Sequence, residues 1–584
     1  VPVTMSRTSA EVQESTGLRR DRQQIMDDAD AGAVQPSGTA PAAPEVTATA
    51  EPILEEEMRA PEVLADESFT ADIARAEPSA EISAEISSTL TSRNSVLAPA
   101  AQPKRLIVPQ DDQVTLVEGD TEAFSNAPES ALKVTSEEPV STFSIDVDTA
   151  AYSVVRQSLM SGRLPPAEAV RVEEMVNYFP YAYPAPEGNH PFEPTVTVMS
   201  SPWNAGTNLV HIGIQGTLPV IADRPPLNLV FLIDTSGSMQ DATKLPLLKQ
   251  SFRLMLSELR PDDEISIVTY AGSAGQVLEP TRAAERATIL AALDRLEAGG
   301  STAGQAGLQQ AYQVAEGMDD DGEVTRVILA TDGDFNVGLS DPEALKEFIS
   351  DKRESGTYLS VLGFGRGNLD DATMQALAQN GNGIAAYIDT LSEAQKVLVD
   401  QLTGALFPIA NDVKIQVEFN PTTIAEYRLI GYETRALARE DFNNDRVDAG
   451  DIGAGHMVTA IYEITPVGSD AIRNGALRYA EAQETAGASA ELGFFKLRYK
   501  RPGETTSVLI EEPILPGQGS VSDDVRFSAA IAGFGQLLRD GRYLGAWSFD
   551  AAIALANDAK GDDPFGYRGE AVTLMRLAEA LSQN

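Results

Sequence analysis

Asp234, Ser236 and Ser238 stand at alternate positions in the stretch Asp234-Thr-Ser-Gly-Ser-Met239. A carboxylate and two hydroxyls so spaced put hard oxygen donors on one turn, which suits Mg²⁺ or another hard divalent cation. Two later loops can add to the set. Gly299-Gly-Ser-Thr-Ala-Gly304 offers Thr302, and Leu329-Ala-Thr-Asp-Gly-Asp334 offers Asp332. A small cation that keeps several waters is held by two carboxylates and a few hydroxyls. The first loop by itself is equally a turn whose Asp and Ser cap the next helix. Three such loops in order favour a metal, with Asp334 read as a rim charge.

The elements around these loops follow from apolar spacing. Residues 228–233 are an almost unbroken apolar run that ends at Asp234, the mark of a buried strand. The stretch 244–259 has helical spacing, so the acidic turn lies between a strand end and a helix, where open α/β sheets bind ligands. From about 226 to 407 strands and helices alternate. Strands are expected at 227–234, 264–270, 325–331, 358–363 and 385–388. Helices are expected at 244–259, 283–297, 305–316, 342–355, 371–379 and 392–406. That alternation implies an α/β fold, a doubly wound and mostly parallel sheet with helices on both faces. Residues 195–200, 208–215, 413–419, 456–464, 491–499 and 506–510 read as strands, and we expect them to form an accessory antiparallel β-sandwich into which the α/β domain is inserted. Helices at 150–160 and 168–179 precede it, and helices at 525–538 and 571–581 form a tail expected to pack on the sandwich.

Composition narrows the function. The chain has 584 residues and a net charge of −43, from 87 Asp and Glu against 44 Lys and Arg. Nucleic-acid binding needs a positive footprint, so that class is excluded. There is no cysteine, which removes disulfides, thiolate metal sites and cysteine nucleophiles. The three histidines, His190, His211 and His456, are scattered, against a histidine metal site or a Ser-His-Asp triad. No apolar run approaches the ~20 residues of a membrane span. Residues 1–137 are rich in Ala, Pro, Glu, Ser and Thr and are expected to be a disordered acidic tether. Domains are thus placed at 1–137, 138–225, 226–408 and 409–584. Asp146-Val-Asp148-Thr149 is read as a strand end capping the helix at Ala150 rather than a phosphoryl-transfer signature. Residues 441–446 are read as a solvated acidic loop rather than half a calcium loop.

The three metal-facing loops resemble the metal-ion-dependent adhesion site of von Willebrand factor A domains. Asp234, Ser236, Ser238, Thr302 and Asp332 match its coordinating positions in order. The flanks Ser141-Thr-Phe-Ser-Ile-Asp146, Arg171-Val-Glu-Glu-Met-Val-Asn-Tyr-Phe179, Tyr427-Arg-Leu-Ile-Gly-Tyr-Glu433 and Asp563-Pro-Phe-Gly-Tyr567 resemble the bacterial YfbK-like family. There a von Willebrand A domain lies between dedicated N- and C-terminal regions. The resemblance implies a non-enzymatic module that holds Mg²⁺, or Mn²⁺ or Ca²⁺, at these five residues. An acidic side chain of a protein partner completes the coordination, and binding is coupled to movement of the last helix, 392–406. The alternatives are a scaffold whose metal only stabilises and, more distantly, a metal-assisted hydrolase. The tether and the resemblance lead us to expect the cell envelope, periplasm or extracellular space. The first residues form no signal peptide.

Overall fold

Apolar periodicity and turn chemistry give the following elements. The computed structural model describes residues 122, 124, 128–145, 148–218, 224–300, 304–319, 322–333, 342–366, 369–401, 407–447, 449–475 and 490–583. The chain runs through β1 (Lys133–Val134), β2 (Val140–Ser144), α1 (Ala150–Met160), α2 (Val172–Asn177), β3 (Phe192–Ser200) and β4 (Asn208–Gly216). Next come β5 (Leu227–Asp234), α3 (Leu245–Met255), β6 (Glu264–Tyr270), β7 (Ala274–Arg282), α4 (Arg286–Asp294) and α5 (Gly304–Met318). They are followed by β8 (Val324–Thr331), α6 (Pro342–Glu354), β9 (Tyr358–Phe364), α7 (Asp371–Asn380), β10 (Ala385–Ile388) and α8 (Leu391–Gln395). The last part holds β11 (Pro408–Phe419), β12 (Ile424–Leu429), β13 (Ile452–Gly453), β14 (Met457–Pro466), β15 (Gly493–Lys500) and β16 (Ser507–Ile514). Three helices close the chain: α9 (Asp523–Leu538), α10 (Phe549–Asp558) and α11 (Tyr567–Ser582).

β5 is buried at every position, because helices cover both faces of its sheet. The sheet has the order β10-β9-β8-β5-β6-β7. All its pairings are parallel except β6 with β7. The chain leaves β5 towards β6 and comes back on the other side at β8. The switch point therefore falls between β5 and β8, whose carboxyl ends carry Asp234 and Asp332.

The sandwich takes strands from both sides of this domain. One sheet runs β1-β12-β14-β4-β3, and the other runs β13-β11-β15-β16 with β2 added on β11. β4 lies between β3 and β14, in register from Gln215 opposite Met457 to Asn208 opposite Ile464. The α/β domain is thus inserted between β4 and β11, as the strand pattern led us to expect. Along β15 buried and half-buried residues alternate, the period-2 signature of a sheet with one face in the core. β1 lies inside the stretch 1–137 that composition assigned to the tether, while residues 1–121 lie outside the described residues.

A helical layer from both chain ends covers one sheet. Tyr152, Val155, Val172, Met175, Phe527, Phe534 and Met575 pack with Leu209, Ile430 and Ile461 of the sandwich. The stretch expected as one helix at 168–179 is broken, because Val170 and Arg171 are extended and α2 begins after them. Asp148 does not cap α1. Its Oδ1 accepts from the Ala385 amide at 2.8 Å and its Oδ2 from Arg435 at 2.8 Å. Glu174 takes over near the helix start, accepting from the Ala151 amide at 2.8 Å.

Two buried arginines fasten the helical layer to the α/β domain. Arg156 on α1 bonds Asp389, Glu393 and the Tyr178 hydroxyl. Arg171 bridges Glu174 and Asp371 on α7, with Nη1 2.7 Å from Asp371 Oδ2. Taking one partner out of such a cluster strands the others as buried charges. Arg171→Met leaves Glu174 and Asp371 facing each other without their cation. We expect it to lower stability by about 3–5 kcal/mol, read as a reduced urea midpoint.

Candidate metal centre

The end of β5 turns sharply because its last residue accepts from the turn it starts. The Ser236 amide donates to Asp234 Oδ1 at 2.7 Å. This holds Asp234 against the turn and brings the Ser236 and Ser238 hydroxyls within 2.9 Å of each other. Asp234 is fully buried and Ser236 nearly so, whereas Ser238 is exposed. The arrangement is a pair of hydroxyls open to solvent at Ser238 alone, next to a buried carboxylate.

Two neighbouring loops are stitched to this turn. The Thr235 amide donates to the Tyr270 carbonyl at 3.0 Å, which fixes the turn to β6. The Gly299 amide donates to the Thr235 carbonyl at 2.8 Å, and the Gly237 amide donates to the Gly300 carbonyl at 3.1 Å. Gly300 has φ +95, and a Cβ there would stand 3.1 Å from the Gly272 amide nitrogen, so only glycine fits. Thr302, two residues on, lies outside the described residues, as does Asp334.

The third loop arrives with β8. Parallel register sets Ile233 opposite Ala330, so the next residues of the two strands run on side by side. The Thr331 hydroxyl donates to Asp234 Oδ2 at 3.4 Å and accepts from the Gly333 amide at 3.2 Å. Asp332 is fully buried, and its Oδ2 accepts from the Lys244 ammonium at 2.9 Å. Sequence reasoning singled out four of the residues on these strand-end loops that the structure describes: Asp234, Ser236, Ser238 and Asp332. It passed over Lys244, Thr331 and Tyr270. Lys244 carried no signal in the sequence, because its partner Asp332 lies 88 residues further along the chain and reaches it only in the folded protein.

Burial pushes the Asp234 carboxyl up to about 6; the Ser236 bonds pull the other way, and the negative charge of Asp332 adds to the rise. Burial also holds the Tyr270 hydroxyl well above its ordinary value, with Asp234 as the next cause. Among the described residues no three His, Cys, Asp or Glu side chains stand together as a metal cluster. The donor set here is of another kind: two buried carboxylates and a pair of hydroxyls. It fits a hard divalent cation, which would offset the buried negative charge and draw on hydroxyl oxygens.

The chain also matches known proteins. A family model described as von Willebrand factor type A domain matches residues 228–401. One described as Uncharacterized protein YfbK, C-terminal, matches residues 404–581, and one described as von Willebrand factor matches residues 118–211. Uncharacterized protein YfbK of Escherichia coli (strain K12) is 44% identical over 471 residues, covering 79% of this chain and 82% of that one. Inter-alpha-trypsin inhibitor heavy chain H3 of Pongo abelii is 27% identical over 278 residues, 44% of this chain and 30% of that one. Among solved structures, von Willebrand factor type A from Catenulispora acidiphila aligns with a TM-score of 0.39 at 16% identity, over 66% of this chain and 91% of that one.

The raised Asp234 carboxyl has a consequence for the metal-free protein. It titrates near 3.8 when unfolded and near 6 when folded. A raised acid binds its proton more tightly in the folded state. Its contribution to stability is therefore complete below about pH 4 and is lost as pH rises through about 6. Asn carries no charge to bury. Asp234→Asn should stabilise the metal-free protein by about 1–3 kcal/mol near neutral pH and by little at about pH 4, as read by urea melts at the two values.

Proposed function

The chain belongs to the YfbK family, with a von Willebrand factor A domain at its centre, and on that footing we propose that it works as a metal-dependent protein-binding module. Asp234, Ser236, Ser238, Thr302 and Asp332 hold Mg²⁺, or Mn²⁺ or Ca²⁺ in its place. A carboxylate from a protein partner completes the coordination. The observation that carries this reading is the pair of hydroxyls 2.9 Å apart, open to solvent at Ser238 and backed by the buried Asp234. A bound divalent ion supplies positive charge at the protein surface, to which an acidic side chain can bind directly.

A scaffold role with a stabilising-only metal is the second reading. The burial of Asp234 favours it, since neutralising that carboxylate stabilises the fold whether or not a partner comes. Hydrolysis has less support. The two serine hydroxyls bond each other, His211 bonds the Tyr183 hydroxyl at 3.2 Å, and His190 bonds the Tyr499 hydroxyl at 3.0 Å. Neither of these histidines bonds a serine of the site, so neither is set as a general base for a serine nucleophile. No described helix is long and apolar enough to cross a membrane. We place the module at the cell envelope or outside the cell, with the stretch that precedes β1 as its tether; fractionation that finds it only in the cytosol overturns this placement.

Calorimetric titration with Mg²⁺ tests the metal reading. Heat is expected in the native chain and lost in Asp234→Ala. A native chain that takes up no Mg²⁺ or Mn²⁺ sinks the proposal, and equal heat in both proteins moves the metal elsewhere. Partner proteins captured in Mg²⁺ should be released by EDTA. Retention through EDTA, with a metal-dependent rise in melting temperature, favours the scaffold.

A further inference from the structure

Lys244 is an odd residue to find at this site. It immediately precedes α3, where the helix dipole is positive, and no acidic residue sits in the first turn to offset it. The lysine is nonetheless only 7% exposed. Its ammonium reaches Asp332 at 2.9 Å. The path of its side chain is shaped as well. Gly365, after β9, has φ +75, and a Cβ there would stand 2.7 Å from Lys244 Cε. Backbone bare of a side chain lets the lysine stem pass. A buried cation at the wrong end of a helix costs stability, and the structure keeps it in contact with one of the two carboxylates.

Its effect on a bound ion follows from charge. Among the described residues, Asp234 and Asp332 against Lys244 leave the centre with a single net negative charge. A divalent ion brings it to a net positive charge, which one anion cancels. We propose that Lys244 is a fixed counter-cation that holds down the protein's own affinity for the divalent ion and makes the loaded site demand an anionic ligand. This rests on the metal-binding reading above. Without the lysine the two carboxylates neutralise the ion by themselves, so the metal is bound tightly and the incoming carboxylate gains less.

The test uses the full chain with Lys244→Met and Lys244→Gln, both neutral and close to lysine in length. Metal-free melting curves confirm that each is folded. Calorimetry with Mg²⁺ and electron paramagnetic resonance with Mn²⁺ should show Kd falling by about tenfold or more in both variants, because a like charge a few ångströms away has been removed. Acetate should then lower the water relaxivity of the Mn²⁺-loaded native chain at several-fold lower concentration than that of the variants. Native metal binding with an unchanged or weaker Kd in the variants overturns the role of Lys244 and leaves the metal reading standing. An acetate response that is equal or absent overturns the anion demand. Absence of metal binding in all three proteins takes down the metal reading itself, and this inference with it.

Discussion

Two carboxylates buried at the ends of adjacent parallel strands are the constraint to which the rest of the site answers. Asp234 closes β5 and Asp332 follows β8, and both are sealed from water. Like charges so close to one another and so dry are unfavourable unless something offsets them. Each neighbour in the structure answers this in part. The Ser236 amide and the Thr331 hydroxyl donate to Asp234, and Lys244 donates to Asp332. The fold sets the problem because its strand order reverses between β5 and β8. In open α/β sheets such a reversal is where ligands bind.

The helical layer holds the inserted domain towards its C-terminal end. Arg156 grips Asp389 and Glu393, next to β10 and on α8, while Arg171 grips Asp371 on α7. α8 runs on into a π turn at Lys396–Asp400. A π turn is a local irregularity that often marks a working part of a helix. The element expected to respond to ligand is therefore held by an ion pair at one end and wound irregularly at the other. Its continuation through 402–406 lies outside the described residues.

Much of this architecture was legible because burial and period agree. β5, β8 and β9 are apolar runs bounded by turn residues, and β15 alternates cleanly. Both patterns follow directly from how many faces of a strand are covered. The insertion was legible because strand texture recurs on both sides of an alternating α/β stretch. Besides the two-residue strands β1 and β13, three longer elements were missed. β7 has a single buried residue, Leu278, since it is the edge of its sheet, and so it shows no apolar rhythm. β12 is six residues long, with Glu426 and Arg428 buried in it, so its polar residues hid its burial. α10 is short and rich in alanine, with few large apolar residues to mark a face. At the site, oxygen donors announced themselves by type and spacing. Lys244 did not, because a lysine before a helix is ordinarily a solvent-facing residue, and only the third dimension brings Asp332 to it.

The placement of β4 between β3 and β14 also fixes an order of events during synthesis. Its partner on one side precedes it in the chain, but the other arrives only after the whole α/β domain has left the ribosome. β3 and β4 must wait as a hairpin with one open, largely apolar edge while that domain is made. Local contacts within the α/β domain let it fold meanwhile. The strand ends that carry Asp234 and Asp332 are thus complete in sequence before β14 is made, and the unpaired edge of β4 is where an interrupted synthesis exposes the chain to mispairing.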